Sequence, residues 1–220
     1  MTSLFYIEHA NGKVSDQSLK AITAASQIEG DVHGLIVGSN IDEAVAESSK
    51  INGLSKLLHL DDAAFDNVLA EKLTQVIFNI AGDYDYFLAA ATTTGKNVMP
   101  RLAAKLDVSQ ISEIVAVESA DTFIRTIYAG NAIATVQTSD AKKVLTVRPT
   151  AFKAATTDSA ECEVAKIIAE NIPSISEFVG EELTKSDRPE LTSAKTIISG
   201  GRGMQNGEHF SLLEGIADKL

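Results

Sequence analysis

The stretch YFLAAATTTGKNVMPRLAAKL, residues 86–106, contains the pattern that decides the fold class. Its first six residues, 86–91, are apolar without alternation, which is typical of a strand buried on both faces of a sheet. A glycine-containing turn follows, and apolar residues then recur at helical spacing, at Val98, Leu102 and Leu106. We predict that this helix carries Pro100 in its first turn. A buried strand, a tight turn and a helix form one unit of an α/β protein.

The same alternation of strand and helix fills the chain before this stretch. Apolar runs at 4–7, 32–37 and 56–60 predict strands. A helix capped by Ser15 follows the first run, a short helix beginning near Asp42 follows the second, and a helix capped by Asp61 and Asp62 and extending to Ile80 follows the third. Units of this length predict right-handed crossovers and a mainly parallel, Rossmann-like sheet with helices on both faces.

The alternation of strand and helix ends after Asp107, where short predicted strands follow one another with almost no helix between them. These predicted strands lie at 113–118, 122–128, 132–138 and 143–147. Gly130-Asn131 reads as a hairpin turn between two of them. We therefore predict a partly antiparallel extension of the sheet.

A second strand, glycine turn and helix end the sequence. Residues 195–198 predict a strand, the run Ser199-Gly200-Gly201-Arg202-Gly203 a turn, and the apolar spacing from Phe210 to Leu220 a helix. One strand and one helix only begin an α/β domain. We therefore predict an N-terminal α/β domain at 1–184, a linker at 185–192 around Pro189, and the start of a second domain at 193–220.

The composition excludes several classes of function. The chain has 30 acidic and 19 basic residues, a formal net charge of −11, which argues against a surface for nucleic acid or anionic membranes. A run of about 20 apolar residues, as a membrane span needs, is missing, and the first residues predict a strand rather than a targeting leader. The single cysteine, Cys162, excludes an internal disulfide.

The glycine turn supplies the candidate binding residues Gly200, Gly201, Arg202 and Gly203. Glycines let a backbone approach a phosphate, the start of a helix offers free N–H groups, and a guanidinium can fork onto a phosphate or flavin oxygen. An empty structural turn fits the spacing as well, because Asn206 stands where a G-x-G-x-x-G motif has its third glycine.

A second glycine-containing segment, residues 92–96, resembles the end of a phosphate-binding loop, but Ala90 replaces the earlier glycine. We interpret it as a strand-to-helix turn, with anion binding as the alternative. The four histidines lie far apart in sequence, and we identify no metal ligands and no nucleophile with its base.

Three runs of sequence resemble the α subunit of electron-transfer flavoproteins. They are FIRTIYAGNA at 123–132, VLTVRPTAF at 144–152, and LTSAK at 191–195 leading into the glycine turn. The likeness covers the whole chain, with small departures such as Thr126 where proline is usual. This family continues into a second arginine-bearing turn and a Gly-Gln-Thr-Gly-type segment that hold most of the flavin, and both are missing here.

The resemblance implies an electron carrier without substrate turnover, a heterodimer with a β subunit that carries one FAD and in which the β subunit can hold AMP. It implies that electrons pass from acyl-CoA and other dehydrogenases to a membrane flavoprotein–quinone oxidoreductase, in a bacterial cytoplasm or a mitochondrial matrix. Arg202 is the side chain that it assigns to FAD. Because the further flavin-binding segments are missing, we expect these 220 residues not to retain FAD. Alternatives are a cofactor-free scaffold that docks the β subunit and an adenine-nucleotide-binding, hydrolase-like domain.

Overall fold

The computed structural model describes residues 1–182, 189, 191, 194 and 196–220. Two compact units divide the chain, an N-terminal unit, Met1–Phe178, and a C-terminal unit, Val179–Leu220. The boundary predicted at residue 184 falls within the second of these units. Most of the predicted linker, 185–192, lies outside the described residues.

Strands and helices alternate through the first half of the chain, and strands then predominate. The described strands are β1 (Thr2–Tyr6), β2 (His9–Ala10), β3 (Lys13–Val14), β4 (Asp31–Gly38), β5 (Lys56–Asp61), β6 (Tyr86–Ala90), β7 (Gln110–Val117), β8 (Thr122–Ile127), β9 (Ala132–Gln137), β10 (Lys143–Val147) and β11 (Glu163–Lys166). The described α-helices are α1 (Asp16–Ala25), α2 (Asp42–Ser48), α3 (Ala70–Asn79), α4 (Thr93–Leu106) and α5 (Ser211–Ala217).

Nine strands form one sheet in the order β11-β5-β4-β1-β6-β10-β7-β8-β9. The pairs from β11 to β7 are parallel, whereas β8 pairs antiparallel with β7 and β9 pairs antiparallel with β8. The predicted fold class, a mainly parallel sheet with a partly antiparallel extension, is confirmed. The chain runs outward from β1 to β4 and β5, then returns to place β6 on the other side of β1. This change of direction makes the β1–β6 pair the topological switch point.

Helices cover both faces of the parallel strands. Apolar residues of α1 and α2 pack with Phe5, Tyr86 and Leu88 on one face. Those of α3 and α4 pack with Leu4 and Phe87 on the other. Successive residues of β6 therefore enter opposite cores, and every residue of β6 is buried. This burial explains why the run at 86–91 is apolar throughout rather than alternating.

Side-chain caps and turn residues fix several element ends where the sequence predicts them. The Ser15 hydroxyl accepts a hydrogen bond from the N–H of Ser18 and begins α1. Asn11 and Gly12 both have positive φ angles, which joins β2 to β3 by the tight hairpin turn that Asn-Gly favours.

Three predicted elements were wrong in part. The helix predicted from Asp61 to Ile80 is broken, because Asp62 caps only a short 3₁₀ turn, Ala63–Phe65, and α3 begins later at Ala70. Pro100 lies in the interior of α4 rather than in its first turn. The hydroxyl of Thr92 caps this helix, which therefore begins seven residues before Pro100.

The strand predicted at 195–198 is not a strand at the described residues Thr196–Ile198. Residue 195 lies outside the description. A lone extended segment has no neighbouring strand to satisfy its backbone groups, so apolar, β-branched residues are not enough to make one. The predicted helix after the glycine turn is present as α5.

None of the helices in the described part of the chain is both long enough and apolar enough to cross a membrane. The longest of them, α4, has 14 residues.

Candidate functional site

The four predicted binding residues, Gly200–Gly203, lie together at the start of two consecutive short turns in the C-terminal unit. Gly201 precedes a 3₁₀ turn, Arg202–Met204, in which the N–H of Met204 donates to the Gly201 carbonyl over 3.0 Å. Asn206 then caps a second 3₁₀ turn, Gly207–Phe210, which runs into α5. The turn therefore leads into a helical segment, as the sequence predicts, although two 3₁₀ turns intervene.

Packing against the described residues of the unit explains one of the three glycines of this turn, Gly200. A Cβ atom on Gly200 would lie 2.6 Å from Met204 Cγ and 2.9 Å from Leu213 Cδ1. Gly201 and Gly203 have no atom within 4 Å of such a Cβ position, and neither has a positive φ angle. Glycine at these two positions gives the backbone an open surface that a bulky group can approach closely.

The Arg202 side chain is exposed at the same turn, between the two unobstructed glycines. Its guanidinium makes no hydrogen bond or ion pair with any residue that the structure describes. A guanidinium offers five donors in a planar fork that matches phosphate and carbonyl oxygens. The turn thus presents a cation without a partner among the described residues, and two glycines whose small size none of those residues requires.

The switch point of the N-terminal unit, at the carboxyl ends of β1 and β6, is filled by its own side chains. The Thr92 hydroxyl donates to Glu8 Oε1 over 2.5 Å and also caps α4 by accepting from the N–H of Gly95. Burial raises the pKa of Glu8, with hydrogen bonds from Thr92 and Thr94 opposing the shift. The Thr92 hydroxyl at this helix start is thus engaged by a carboxyl group of the chain itself and is not offered to a bound phosphate.

The adjoining basic residues are also paired. Lys96 Nζ lies 2.5 Å from Glu113 Oε1, and the Arg148 guanidinium donates to Glu113 Oε2 over 2.7 Å. These hydrogen bonds lower the pKa of Glu113. The interpretation of residues 92–96 as a strand-to-helix turn is confirmed, and the arrangement gives no support to the alternative of an anion site.

Glu113 is a site residue that sequence reasoning missed. It has a φ angle of +54° within β7, where the pairing register shifts, and its N–H donates to the hydroxyl of Thr146 over 2.9 Å. The left-handed backbone turns its carboxylate towards the two cations. The sequence shows that Lys96, Glu113 and Arg148 are charged, but it gives no sign that these three residues lie together in the fold.

The histidines take separate structural roles. His9 Nε2 lies 3.0 Å from the Val37 carbonyl, His33 Nδ1 lies 3.0 Å from the Tyr84 hydroxyl, and His209 Nδ1 lies 2.7 Å from the Met204 carbonyl. In the described ranges, no three His, Cys, Asp or Glu residues form a group that could hold a metal ion.

The doubly wound parallel sheet with its antiparallel extension defines a Rossmann-like α/β protein. Within this class, the sequence pattern of the family described as electron transfer flavoprotein domain matches residues 3–171, well over half of the chain. The chain belongs to the electron transfer flavoprotein family, so its general role is in electron transport by a flavoprotein.

Individual relatives match over the whole chain. The electron transfer flavoprotein subunit alpha of Pseudomonas aeruginosa is 49% identical over 220 residues, which is 100% of this chain and 71% of the relative. The subunit alpha of Paracoccus denitrificans is 44% identical over 221 residues, with the same coverage. A probable mitochondrial subunit alpha of Cryptococcus neoformans is 44% identical and is covered over 66% of its length.

Proposed function

We propose that this chain is an α subunit of electron-transfer flavoprotein and works as an electron carrier with a β subunit. In this proposal the assembly carries FAD, receives electrons from acyl-CoA and other dehydrogenases, and delivers them to a membrane flavoprotein–quinone oxidoreductase. The family match and the names of the relatives support the carrier role. The chain turns over no substrate of its own in this proposal.

The observation that carries the flavin-binding part of the proposal is the exposed glycine turn. Gly201 and Gly203 meet no neighbouring atom that would exclude a Cβ, and the Arg202 guanidinium between them is free of partners among the described residues. Small residues and an unpaired cation at one exposed turn suit the close approach of an anionic, oxygen-rich group. A dinucleotide such as FAD has both phosphate and flavin oxygens that fit this chemistry.

Each residue of the turn has a separate task. Gly201 and Gly203 keep the backbone open to close approach, and Gly200 lets Met204 and Leu213 pack beneath the turn. Arg202 would donate charge-assisted hydrogen bonds to the cofactor and hold it in one orientation. The cofactor, when bound, supplies the electron-transfer chemistry, and the chain supplies binding, orientation and electrostatics.

The N-terminal unit favours a docking role over a cofactor site. Its switch point holds the half-buried Glu8 carboxyl, and the cations Lys96 and Arg148 are engaged by Glu113. This arrangement supports the second candidate, a cofactor-free scaffold for the β subunit, as a description of residues 1–178 alone. The two candidates differ in whether the complex contains flavin.

The test is the substitution Arg202→Ala in a chain extended to the length of its relatives and purified with the β subunit. If the guanidinium binds the cofactor, its loss removes a charge-assisted hydrogen bond of about 1.5–3 kcal/mol. The Kd for FAD, measured by quenching of flavin fluorescence, should therefore rise about 10- to 150-fold. Arg202→Lys keeps the positive charge but not the planar fork of donors, so its Kd for FAD should lie between those of the wild type and Arg202→Ala.

The control is Arg101→Ala in the N-terminal unit, which removes an arginine that is paired with Glu71 at 2.9 Å. It should leave the Kd for FAD unchanged. An unchanged Kd for FAD in Arg202→Ala would indicate that the glycine turn has only a structural role. If the extended wild-type complex shows no flavin absorbance at all, the scaffold candidate replaces the carrier.

A further inference from the structure

Gln205, two residues after the glycine turn, has a backbone conformation that residues other than glycine rarely adopt. Its φ and ψ angles are 65° and −58°, and the N–H of Asn206 donates to the Met204 carbonyl across it over 2.7 Å. This is a γ-turn of positive φ, the rarer and more strained of the two kinds of γ-turn. Strain of this kind persists only where neighbouring groups hold the backbone in place. The turn therefore needs a further contact.

The imidazole of His209 supplies a contact of this kind. Its Nδ1 atom lies 2.7 Å from the Met204 carbonyl oxygen. A carbonyl only accepts hydrogen bonds, so Nδ1 carries the proton and donates it. The Met204 carbonyl thus accepts from two donors, the Asn206 N–H and the imidazole, and both of its lone pairs are used. The second bond holds this carbonyl in the orientation that the γ-turn requires.

The peptide group that His209 holds is the one that contacts the glycine turn. The Met204 carbonyl and the Gln205 N–H belong to one planar peptide unit, so an orientation imposed on the carbonyl is imposed on the N–H as well. This N–H donates to the Arg202 carbonyl over 3.0 Å, and the N–H of Met204 donates to the Gly201 carbonyl over 3.0 Å. A rotation of this peptide unit would therefore break the hydrogen bond to the Arg202 backbone.

Other roles for the His209 side chain find no support in the structure. The residue is exposed, so burial in a core does not explain its position. In the part of the chain that is described, it belongs to no group of His, Cys, Asp or Glu residues that could hold a metal ion. What the imidazole does there is to fix the backbone that follows the glycine turn.

We propose that His209 is a positioning residue of the cofactor turn, whose imidazole clamps the Met204–Gln205 peptide and thereby orients Arg202 without touching the cofactor. The inference rests on the proposed function, which supplies the cofactor. When only a fraction of the molecules holds the competent conformation, the apparent Kd rises in inverse proportion to this fraction. Loss of the clamp therefore weakens cofactor binding through Arg202, and only while Arg202 is present.

The test is a double-mutant cycle in the chain extended to the length of its relatives and purified with the β subunit. His209→Ala should raise the Kd for FAD about 2- to 13-fold, the effect of one neutral hydrogen bond, as measured by quenching of flavin fluorescence. In a chain that already carries Arg202→Ala, the same substitution should change this Kd by less than about twofold. Equal factors in the two backgrounds would overturn the proposal, because His209 would then act independently of Arg202.

Two further variants separate the clamp from a general effect on folding. His209→Asn places an amide nitrogen as many bonds from the backbone as Nδ1 is, so it should return the Kd for FAD to within about twofold of the wild type. His9→Ala removes a bond of the same kind, from an imidazole to the Val37 carbonyl at 3.0 Å, in the N-terminal unit. It should leave the Kd unchanged, and a rise equal to that of His209→Ala would overturn the proposal.

Nuclear magnetic resonance of the 220-residue chain gives a readout that needs no cofactor. The imidazole nitrogen shifts of His209, recorded at alkaline pH, should show the proton on Nδ1. A proton on Nε2 would remove the donor and overturn the proposal, whatever the affinity for FAD. An unchanged Kd in Arg202→Ala alone would instead count against the proposed function, and with it against this role of His209, even where the proton is on Nδ1.

Discussion

Replacing Gly95 with alanine should destabilise the N-terminal unit, because helix α4 starts against the backbone of β6. A Cβ atom at position 95 would lie 2.0 Å from the carbonyl oxygen of Ala90 and 3.4 Å from the Ala89 Cβ atom. The first of these contacts is to backbone, which cannot rotate away. Either α4 or the end of β6 must therefore move by about 1 Å, and overpacking of this kind costs about 1–3 kcal/mol.

The helix propensity of alanine offsets part of that cost. Alanine is about 1 kcal/mol better than glycine within a helix, but a clash with backbone puts the overpacking at the upper end of its range. The net loss should be about 2 kcal/mol. For a unit of this size, 1 kcal/mol corresponds to about 2–4 °C, so the melting temperature should fall by about 4–8 °C.

The assay is thermal unfolding of the chain followed by far-ultraviolet circular dichroism. The matched control is Gly82→Ala, since a Cβ at Gly82 would have no atom within 4 Å and the φ angle there is not positive. This variant should change the free energy of unfolding by less than about 1 kcal/mol. Equal melting temperatures for Gly95→Ala and the wild type would refute the close approach of α4 to β6.

Two substitutions should change the pH dependence of unfolding in opposite directions. Burial raises the pKa of Glu8. The contribution of this side chain to stability is therefore complete below the ordinary pKa range of glutamate and is lost as the pH rises through the folded-state pKa. Glu8→Gln should therefore raise the melting temperature at pH 7 more than at pH 4, and the opposite order would contradict the assigned burial. The pKa of Glu113 is lowered by Lys96 and Arg148, so its contribution is present above the ordinary glutamate range and is lost as the pH falls through the lowered pKa. Glu113→Gln should lower the free energy of unfolding by about 1 kcal/mol at pH 7, as measured by urea unfolding. An equal loss at pH 3 would show that the ion pairs with Lys96 and Arg148 do not cause it.

The sequence predicted the parallel core of the sheet well because burial on two faces leaves a direct signal. Tyr86 and Leu88 enter one core and Phe87 and Ala89 the other, so every position of β6 must be apolar. The Ser15 cap and the Asn11-Gly12 turn were equally visible, since each depends on residues adjacent in the chain. Local chemistry and two-sided burial are therefore the parts of this fold that a single sequence reveals.

Features that depend on distant partners were not visible. A strand exists only where a neighbour pairs with it. The described residues Thr196–Ile198 therefore form none, whereas β11, with only one half-buried residue, is a strand because it pairs with β5. The left-handed Glu113 depends on the Thr146 hydroxyl, 33 positions later.

The two units differ in how they satisfy their functional groups, and this difference favours a division of tasks. At the carboxyl edge of the N-terminal sheet, where α/β proteins commonly bind ligands, Thr92 holds Glu8 and Glu113 holds both nearby cations. The Arg202 guanidinium in the glycine turn is exposed instead, and it forms no ion pair with a residue that the structure describes. An exposed arginine between two unobstructed glycines suits a phosphate or a flavin oxygen. We therefore propose that cofactor contact falls to the turn at 200–203 rather than to the carboxyl edge of the N-terminal sheet.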